Sequence, residues 1–198
     1  MNSLPATGFP NPSEDASHSF RGLLTAMSQP ASIQPLTTQL PSVGKLNPAS
    51  CLIALTLVDH ESPVWLDDDL DDETVKQFFK FNCSAPLIKQ QSKAMLAFFS
   101  HCPSPQGLAN FNKGNASYPD ASTTLIIQVK SLSSGNAVTL TGPGIQTEQV
   151  LKVDGLNKYF WAWFKTNQTI FPLGNDVILA APDCLAALPR TTKIVEVS

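Results

Sequence analysis

The stretch Leu125-Ile-Ile-Gln-Val-Lys-Ser-Leu-Ser-Ser-Gly-Asn-Ala-Val-Thr-Leu-Thr-Gly-Pro-Gly144 places two short apolar segments on either side of a polar turn. The apolar segments are residues 125–129 and 138–140, and Ser133-Ser-Gly-Asn136 lies between them. Apolar strand-forming residues joined by a short turn that contains glycine are typical of a β-hairpin. The stretch therefore predicts a hairpin in the middle of the fold.

The second segment runs directly into Gly142-Pro143-Gly144. Glycine permits a positive φ, while proline fixes its own φ and has no N–H to donate. Two interpretations stay open: an ordinary tight turn, or a loop at a strand end that holds an anion or a partner. A phosphate-binding loop needs N–H donors and polar groups, and here Pro143 lacks the donor and apolar Ile145 follows, which weakens the phosphate interpretation.

Helical patterns precede this stretch. Ser13 is the predicted N-cap of a helix that Pro30 ends. Spacing at i, i+3, i+4 and i+7 predicts one apolar face on that helix, made of Phe20, Leu23, Leu24 and Met27. Asn47-Pro48 is typical of a helix start, which favours a helix over a buried strand for the apolar residues 51–59.

Short strands and turns complete the pattern. Strands are predicted at residues 63–66, 94–99, 177–180 and 194–197, with turns and a single helical turn over residues 103–120. Pro172-Leu-Gly174 is a predicted turn, and residues 156–165 form a predicted helix whose inward side chains are Leu156, Tyr159, Phe160, Trp163 and Phe164. The alternation predicts an α/β fold with a mixed sheet, with residues 14–198 as one domain after a flexible arm over residues 1–13.

An acidic run, Asp67-Asp-Asp-Leu-Asp-Asp-Glu73, has two interpretations. A calcium loop is one, but Asp72 stands where the EF-hand pattern requires glycine and Phe78 where it requires the bidentate Glu. The other is a helix start, because carboxylates at a helix N-terminus complement its dipole. The helix interpretation fits better, with Val75, Phe78 and Phe79 facing inward, and no metal site is expected.

Composition excludes several classes of protein. The chain has 198 residues, a net charge of −3 and no stripe of Lys and Arg, so nucleic-acid binding is not expected. No apolar stretch reaches the roughly 18 residues of a membrane span, and the N-terminus does not resemble a signal peptide.

The four cysteines form no C-x-x-C pair, and reduced thiols in a cytoplasmic protein are expected. Only 15% of residues are charged, which fits either a surface covered by a partner or a monomer with a Ser-, Thr-, Asn- and Gln-rich surface.

The inventory of catalytic groups is thin. None of the H-E-x-x-H, G-x-S-x-G or Walker A patterns occurs, and the three histidines are isolated. His18 and Arg21 share one helix face, where they either hold a phosphate or cover the solvent side. Asp59-His60-Glu61 is more typical of a turn than of a metal site.

A second polar cluster, Pro189-Arg190-Thr191-Thr192, precedes the last strand. Arg190 either binds a carboxylate or phosphate, with Thr191 beside it, or locks a sheet edge by pairing with Asp176 or Asp183. From the residues alone, we expect an α/β domain without a self-contained active site.

Blocks spread along the chain resemble the PhnH family, the H subunit of the bacterial carbon–phosphorus lyase machinery for phosphonate use. The first four blocks are His18-Ser-Phe-Arg-Gly-Leu-Leu-Thr-Ala-Met-Ser-Gln-Pro30, Leu57-Val-Asp-His-Glu-Ser-Pro-Val-Trp-Leu66, Phe81-Asn-Cys-Ser-Ala-Pro-Leu87 and Gly114-Asn-Ala-Ser-Tyr-Pro-Asp120. The last four are Thr124-Leu-Ile-Ile-Gln-Val129, Leu140-Thr-Gly-Pro-Gly-Ile145, Phe171-Pro-Leu-Gly-Asn-Asp-Val-Ile-Leu179 and Leu188-Pro-Arg-Thr-Thr192. Each block is modest singly, and their order from about residue 14 to the C-terminus makes the resemblance specific.

The resemblance implies a three-layer α/β/α sandwich, similar to pyridoxal-phosphate-dependent transferases but without the cofactor lysine, so no cofactor is expected. It also implies a homodimer that joins the G, I and J subunits of the carbon–phosphorus lyase complex. With the I, G and L subunits, the H subunit is needed to displace adenine from ATP by a phosphonate, which yields ribose 1-phosphonate 5-triphosphate. The resemblance supplies no catalytic residue.

Two positions depart from the family pattern. Ala31 follows Pro30 where the family usually has glycine, so the φ of that turn is in question. Asn82 stands where the family usually has histidine, and an amide forms hydrogen bonds but does not titrate.

The sequence thus predicts an accessory subunit of the phosphonate-processing complex. The candidate ligand- or partner-contacting residues are His18, Arg21, Arg190 and Thr191, and the candidate structural turns contain Gly142, Pro143, Gly144, Pro172 and Gly174. The alternatives are an independent phosphonate- or nucleotide-binding protein or enzyme with its own cleft, and an interaction module unrelated to phosphonates.

Overall fold

The computed structural model describes residues 8–197. The first seven residues of the predicted arm lie outside this range, while Phe9 is buried and a helix begins at Pro12. The division into an arm over residues 1–13 and one domain over residues 14–198 stays a prediction.

The described chain contains helices and strands in alternation. The helices are α1 (Pro12–Ser28), α2 (Pro48–Leu57), α3 (Glu73–Cys83), α4 (Pro105–Leu108) and α5 (Lys158–Thr169). The strands are β1 (Gln34–Pro35), β2 (Val64–Leu66), β3 (Leu96–Phe99), β4 (Thr124–Gln128), β5 (Ser131–Thr141), β6 (Gln149–Asp154), β7 (Val177–Ala180), β8 (Cys184–Leu188) and β9 (Lys193–Val197). The α/β class predicted from the sequence is confirmed.

The larger sheet has six strands in the order β1-β8-β7-β4-β3-β2. β2, β3, β4 and β7 pair in parallel, whereas β8 runs antiparallel to β7 and β1 antiparallel to β8. The sheet is therefore mixed, as predicted. Its four parallel strands all begin at one edge, the amino edge, and end at the opposite, carboxyl edge.

Both faces of this sheet are buried. Successive side chains of a strand point to opposite faces, so alternate residues enter two different apolar cores. On β3, Phe98 belongs to one apolar core and Phe99 to the other. The first core also contains the inward residues of α1, α2 and α3, among them Leu23, Ile53 and Phe79. The second core contains residues of α4, α5 and the smaller sheet, among them Leu108, Phe160, Phe164, Val138 and Leu151.

Side-chain caps set the starts of two of these helices. Asn47 Oδ1 accepts the N–H of Ser50 at 2.8 Å ahead of Pro48, which confirms the predicted start of α2. Asp72 Oδ1 accepts the N–H of Val75 at 3.0 Å and caps α3. The end of the acidic run therefore acts at a helix N-terminus, as the sequence predicted.

The predicted hairpin is wrong. β4 lies in the larger sheet, while β5 begins at Ser131, so the expected turn at residues 133–136 lies within β5, at an irregularity in its register with β6. β5 instead pairs with β6 on one side and with β9 on the other, in a separate three-stranded antiparallel sheet. The connection between the paired strands β5 and β6 contains the Gly142-Pro143-Gly144 turn.

Two predicted helix faces also need correction. On α1 the buried residues are Ser19, Leu23 and Ala26, whereas Phe20 and Leu24 are exposed. On α5 Tyr159, which was predicted to face inward, is exposed, and Trp161, which was not among the predicted inward residues, is buried. In both helices the true inward face is rotated from the face with the most hydrophobic residues, so large apolar side chains remain outside.

The turn after Pro30 keeps the geometry that glycine usually provides. Ala31 has a φ of +64° and donates its N–H to the carbonyl of Ala187 in β8 at 3.0 Å. The substitution of glycine by alanine has thus left the left-handed backbone in place.

Among residues 8–197, no helix is both long enough and apolar enough to span a bilayer.

Candidate functional site

Arg190 lies at the amino edge of the larger sheet, just after β8. Its guanidinium pairs with the Asp176 carboxylate, with Nη2 at 2.6 Å from Oδ2 and Nε at 3.1 Å from Oδ1. Asp176 immediately precedes β7, and its Oδ1 also accepts the backbone N–H of Arg190 at 2.8 Å. The structure thus forms the sheet-edge lock that the sequence left open as one of two roles for Arg190.

The rest of the Arg190 guanidinium is also occupied. Nη2 donates to Ser122 Oγ at 2.6 Å, and Nη1 donates to the carbonyls of Pro119 at 2.8 Å and Pro172 at 3.4 Å. With the two bonds to Asp176, all five N–H donors have an acceptor. A ligand at this guanidinium would have to displace one of these bonds, so a ligand-contacting role for Arg190 stays a prediction.

Thr191 lines a cleft of about 380 Å³ next to this lock. The other lining residues come from α5, the loop after it, the glycine turn, the connection after β8 and the start of β9: Pro143, Gln168, Phe171, Arg190 and Lys193. Among the described residues, the side chains of Thr191, Gln168 and Lys193 make no hydrogen bond or ion pair within the chain. The cleft therefore offers a hydroxyl, an amide and an ammonium group beside the exposed Phe171 ring.

The Gly142-Pro143-Gly144 turn packs tightly against two neighbouring segments. Gly144 has a φ of +83°, and a Cβ at this position would lie 2.0 Å from the carbonyl oxygen of Ser28 at the end of α1. Gly142 has a φ of +132°, and its Cβ would lie 3.0 Å from the carbonyl oxygen of Thr191. These contacts give the glycines a packing role and leave little room for an anion between the turn and α1.

Pro172 and Gly174 belong to the loop between α5 and β7. The peptide bond from Phe171 to Pro172 is cis, and Gly174 has a φ of +119°. Asn167 of α5 closes the loop, because its Oδ1 accepts the N–H of Asn175 at 2.8 Å and its Nδ2 donates to the Asn175 carbonyl at 2.9 Å. This fixed loop presents Phe171 to solvent at the cleft.

His18 and Arg21 lie on the exposed side of α1. Arg21 donates to its neighbour on the same helix, from Nη2 to Ser17 Oγ at 3.2 Å and from Nε to the Ser17 carbonyl at 3.3 Å. Neither residue lines the cleft beside Arg190. The structure does not bring the four candidate contact residues together, and the roles of His18 and Arg21 stay predictions.

A second polar network, which the sequence analysis missed, lies at the carboxyl edge of the sheet. Asp67 follows β2 and is buried, and its Oδ2 accepts both the N–H and the hydroxyl of Ser100 at 2.7 Å. Its Oδ1 accepts the N–H of Leu70 at 2.9 Å. Asp67 therefore fastens the end of β2 to the residue that follows β3.

Ser100, His101 and Asp69 meet at the surface of this network. His101 Nδ1 lies 2.7 Å from Ser100 Oγ and 3.5 Å from Asp69 Oδ2. A nucleophilic triad needs the hydroxyl and the carboxylate at opposite ring nitrogens, whereas here both approach Nδ1. These three residues therefore do not have the geometry of a serine hydrolase.

Lys45 holds the Asp69 carboxylate in an ion pair. Its hydrogen bond and charge lower the pKa of Asp69, with smaller contributions from Ser100 and His101, and the pKa of Lys45 is raised in turn. Both side chains are largely exposed, so solvent screens the pair.

Gln128 extends this network inward from the end of β4. Its Oε1 accepts the N–H of Asn47 at 2.6 Å, and its Nε2 donates to the Lys45 carbonyl at 2.9 Å. Asn47 Nδ2 in turn donates to the Ala180 carbonyl at the end of β7 at 2.8 Å. The ends of all four parallel strands are thus connected by polar side chains.

Two adjoining grooves, of about 520 and 590 Å³, open at this edge and share Trp65, Asp68 and Gln91. Ligands of α/β proteins commonly bind at the carboxyl ends of parallel strands. The walls combine carboxylates, an exposed histidine and one indole. In residues 8–197 no group of three or more His, Cys, Asp or Glu side chains is placed to hold a metal ion.

The positions of Asp67 and Ser100 at the ends of predicted strands could have indicated this network from the sequence. Asp67 directly follows a predicted strand at residues 63–66, and Ser100 directly follows the one at residues 94–99. Polar residues at consecutive strand ends meet when the strands are parallel neighbours. Gln128 carried no comparable signal, because it lies within an apolar segment.

Comparison with known proteins connects this chain to phosphonate metabolism. A family model described as "Bacterial phosphonate metabolism protein (PhnH)" matches residues 7–195. The chain is 34% identical over 186 residues to the alpha-D-ribose 1-methylphosphonate 5-triphosphate synthase subunit PhnH of Rhizobium meliloti (strain 1021), covering 94% of this chain and 93% of that protein. It is also 32% identical over 175 residues to HtxG of Stutzerimonas stutzeri, named provisionally as a C-P lyase subunit, covering 88% of this chain and 83% of that protein.

Proposed function

We propose, because this chain belongs to the PhnH family of bacterial phosphonate metabolism proteins, that it is an accessory subunit of a carbon–phosphorus lyase complex in organophosphonate catabolism. The observation that carries the proposal is the family match over residues 7–195, together with a similar chain named as a subunit of a ribose 1-methylphosphonate 5-triphosphate synthase. In this role the chain supports the formation of ribose 1-phosphonate 5-triphosphate from ATP and a phosphonate.

The geometry of the polar clusters supports an accessory role over an independent catalyst. All five donors of Arg190 are bound within the chain, and Ser100 and Asp69 approach the same nitrogen of His101. Both clusters hold elements of the fold in place. A chain whose polar clusters are used in this way fits a subunit that contributes surface to a complex.

Two more detailed proposals rest on the family resemblance. The first is a cytoplasmic homodimer that joins the G, I and J subunits. The second is a three-layer α/β/α arrangement similar to pyridoxal-phosphate-dependent transferases. The mixed sheet with buried faces supports this arrangement. Residues 14–198 are proposed to act as one domain.

Co-expression tests the accessory role. The tagged chain is expressed with the G, I and J subunits, and the purified material is analysed by light scattering. A stable multi-subunit complex is expected, and clean separation of the subunits would count against the assignment. In a parallel assay the isolated chain receives ATP and methylphosphonate, and turnover without any partner would show that the chain is an enzyme in its own right.

The cleft beside Arg190 favours one alternative, an independent phosphonate- or nucleotide-binding protein. Its Thr191, Gln168 and Lys193 side chains are available to a small anion. Calorimetric titration of ATP and of methylphosphonate into the isolated chain tests this function. Saturable binding that Thr191→Val weakens would support the alternative, and flat titrations would remove it. Thr191→Val suits the test better than Arg190→Ala, which would break the lock.

A further inference from the structure

α5 and the start of the loop after it present large apolar side chains to solvent. Tyr159 is 58% exposed, Ile170 is 37% exposed and Phe171 is 59% exposed. Trp163 is half-buried, and positions 159, 163 and 170 fall on one side of a helix. We call Tyr159, Trp163, Ile170 and Phe171 the α5 face. Tyr159 and Trp163 are one helical turn apart, and Ile170 and Phe171 are adjacent in the chain. Exposed apolar residues grouped in this way indicate a docking site, unlike the single exposed apolar residues found on any protein.

Three basic residues lie beside the α5 face. α5 contains Lys158 and Lys165 and no acidic residue, and Lys193 lines the cleft at its far end. Within residues 8–197 none of these three lysines forms an ion pair, and Lys158 Nζ lies 5.3 Å from the centre of the Tyr159 ring. These unpaired lysines make this side of α5 locally positive, although the chain as a whole has a net charge of −3.

We propose that the α5 face is the docking surface for an acidic segment of another protein subunit of the complex. Apolar residues of that segment pack on Tyr159 and Phe171, and its carboxylates meet Lys158, Lys165 and Lys193. One of these carboxylates enters the cleft, where the Thr191 hydroxyl and the Gln168 amide join Lys193 as donors. This inference rests on the proposed function, because it identifies the surface through which the chain joins its complex.

Charge argues against a second copy of this chain as the occupant. A two-fold interface places the same patch of each copy against its counterpart. Such an interface would bring six lysines together, Lys158, Lys165 and Lys193 from each copy, and like charges brought together at an interface cost free energy. An acidic partner removes this repulsion and gains attraction.

The exposed apolar pair on α1 provides a comparison. Phe20 and Leu24 are also exposed, but that helix carries Glu14 and Asp15 as well as Arg21, so its charge is mixed. It therefore offers no single charge that a partner could match. Because His18 and Arg21 on the same helix remain candidate contacts, the apolar control is taken elsewhere, at Phe81 of α3, which is 69% exposed.

The experiment compares variants of the full chain co-expressed with the G, I and J subunits. Tyr159→Ser with Phe171→Ser removes apolar contacts, and Lys158→Glu with Lys165→Glu reverses two charges. The matched controls are Phe81→Ser and, for charge, Lys80→Glu with Lys93→Glu. Both α5 variants are expected to weaken association by about tenfold or more, and the controls by less than about threefold. Because charge contributes, wild-type association is also expected to weaken as salt concentration rises.

Circular dichroism and thermal melting show whether each variant remains folded. If a double variant unfolds, Tyr159→Ser and Lys165→Glu alone replace it, because both lie at exposed positions. Equal association of folded α5 variants and wild type would overturn this inference while leaving the proposed function intact. Failure of the wild-type chain to associate at all would instead overturn the proposed function.

Light scattering on the isolated chain tests whether a second copy of the chain, rather than another subunit, covers the α5 face. The α5 variants are expected to have the same mass as wild type. A fall from dimer to monomer in these variants would show that a second copy covers the face, and the inference would be wrong.

Discussion

Arg190 and Asp176 face each other at the amino edge of the larger sheet through two N–H···O bonds of 2.6 and 3.1 Å. Their side chains are only 13% and 16% exposed. A carboxylate that loses its partner in such a place is left poorly solvated, so removing one partner costs more than the pair contributes. Substitution of Arg190 therefore tests how much this pair matters for the stability of the fold.

Arg190→Ala is expected to lower the free energy of unfolding by about 3–5 kcal/mol. Arg190→Lys is expected to be intermediate, because an ammonium group keeps the charge but cannot reproduce the fork of five donors. Urea denaturation measures both changes. The exposed control Lys165→Ala should stay within about 0.5 kcal/mol of wild type. A cost below about 1 kcal/mol for Arg190→Ala would contradict the lock.

Gly144→Ala is expected to destabilise the fold by about 3 kcal/mol or more, because the new Cβ meets the Ser28 carbonyl and φ is positive. The matched control is Gly22→Ala, where a Cβ meets nothing within 4 Å. Gly22 lies inside α1, so its replacement should raise stability by about 0.5–1 kcal/mol. Thermal melting of the two variants should shift in opposite directions, and equal shifts would be inconsistent with the packing described.

Ser84→Gly is expected to stabilise the protein by about 0.5–1 kcal/mol. Ser84 ends α3 with a φ of +54°, a conformation that costs a non-glycine residue about 1–2 kcal/mol. The added glycine increases the freedom of the unfolded chain, which offsets about 0.4–1 kcal/mol of the gain. Ser92→Gly, at an exposed position without positive φ, should instead lose stability. Urea midpoints of the two variants give the comparison.

The buried thiols are expected to resist alkylation while the protein is folded. Burial raises the pKa of Cys51 and of Cys83 to about 12, and the thiolate is the reactive form. Mass spectrometry after iodoacetamide treatment at pH 9, with and without urea, should show labelling of these two residues only in urea. Rapid labelling of the native protein at either residue would refute the burial.

The same thiols predict how stability responds to alkaline pH. The pKa of each is higher in the folded state than in the unfolded state, where it is about 8.5. The folded state therefore holds the proton more tightly, and this stability is complete below the unfolded value and is lost as pH rises from about 9 toward 12. Urea denaturation at pH 8 and at pH 10 should show the decrease, and a Cys51→Ala variant should show less of it.

Lys45→Gln is expected to raise the pKa of Asp69 toward its ordinary value. The lysine supplies the largest part of the shift, and the remaining contributions of Ser100 and His101 are smaller. NMR titration of the Asp69 carboxyl carbon measures the change. The lowered pKa contributes stability above the ordinary carboxyl range that is lost as pH falls, and the exposure of the pair keeps this contribution small. An unchanged titration would mean that Lys45 does not hold Asp69 in solution.

Local signals in the sequence predicted most of the elements. The Asn47-Pro48 start, the Asp72 cap and the apolar segments of β2, β3, β4 and β7 depend on neighbouring residues, so their identity is visible without the fold. The pairing of β5 was wrong because a polar turn pattern does not specify which strand lies beside it. Ser133-Ser-Gly-Asn136 lies within β5, opposite the end of β6. β6 comes later in the chain than the two apolar segments on which the predicted hairpin was based.

In the candidate sites, too, the sequence indicated local features but not which distant residues meet. The pairing of Arg190 with Asp176 was one of two roles that the sequence allowed, and only the sheet order places the two residues together. The Asp67–Ser100 network escaped notice because its members are far apart along the chain and each has an ordinary local role. The inward position predicted for Tyr159 was wrong because a helix with hydrophobic residues on several sides does not reveal which side meets the core.

The contact between Gly144 and Ser28 has a consequence for the order in which the protein is completed during synthesis. The segments that hold the end of α1, the turn at Gly144 and strand β8, are made long after α1 itself has left the ribosome. The end of α1 therefore cannot take up its final packing until those later segments are made. Until then its exposed Phe20 and Leu24, and the apolar side of the helix that will be buried, are available to chaperones and to other nascent chains.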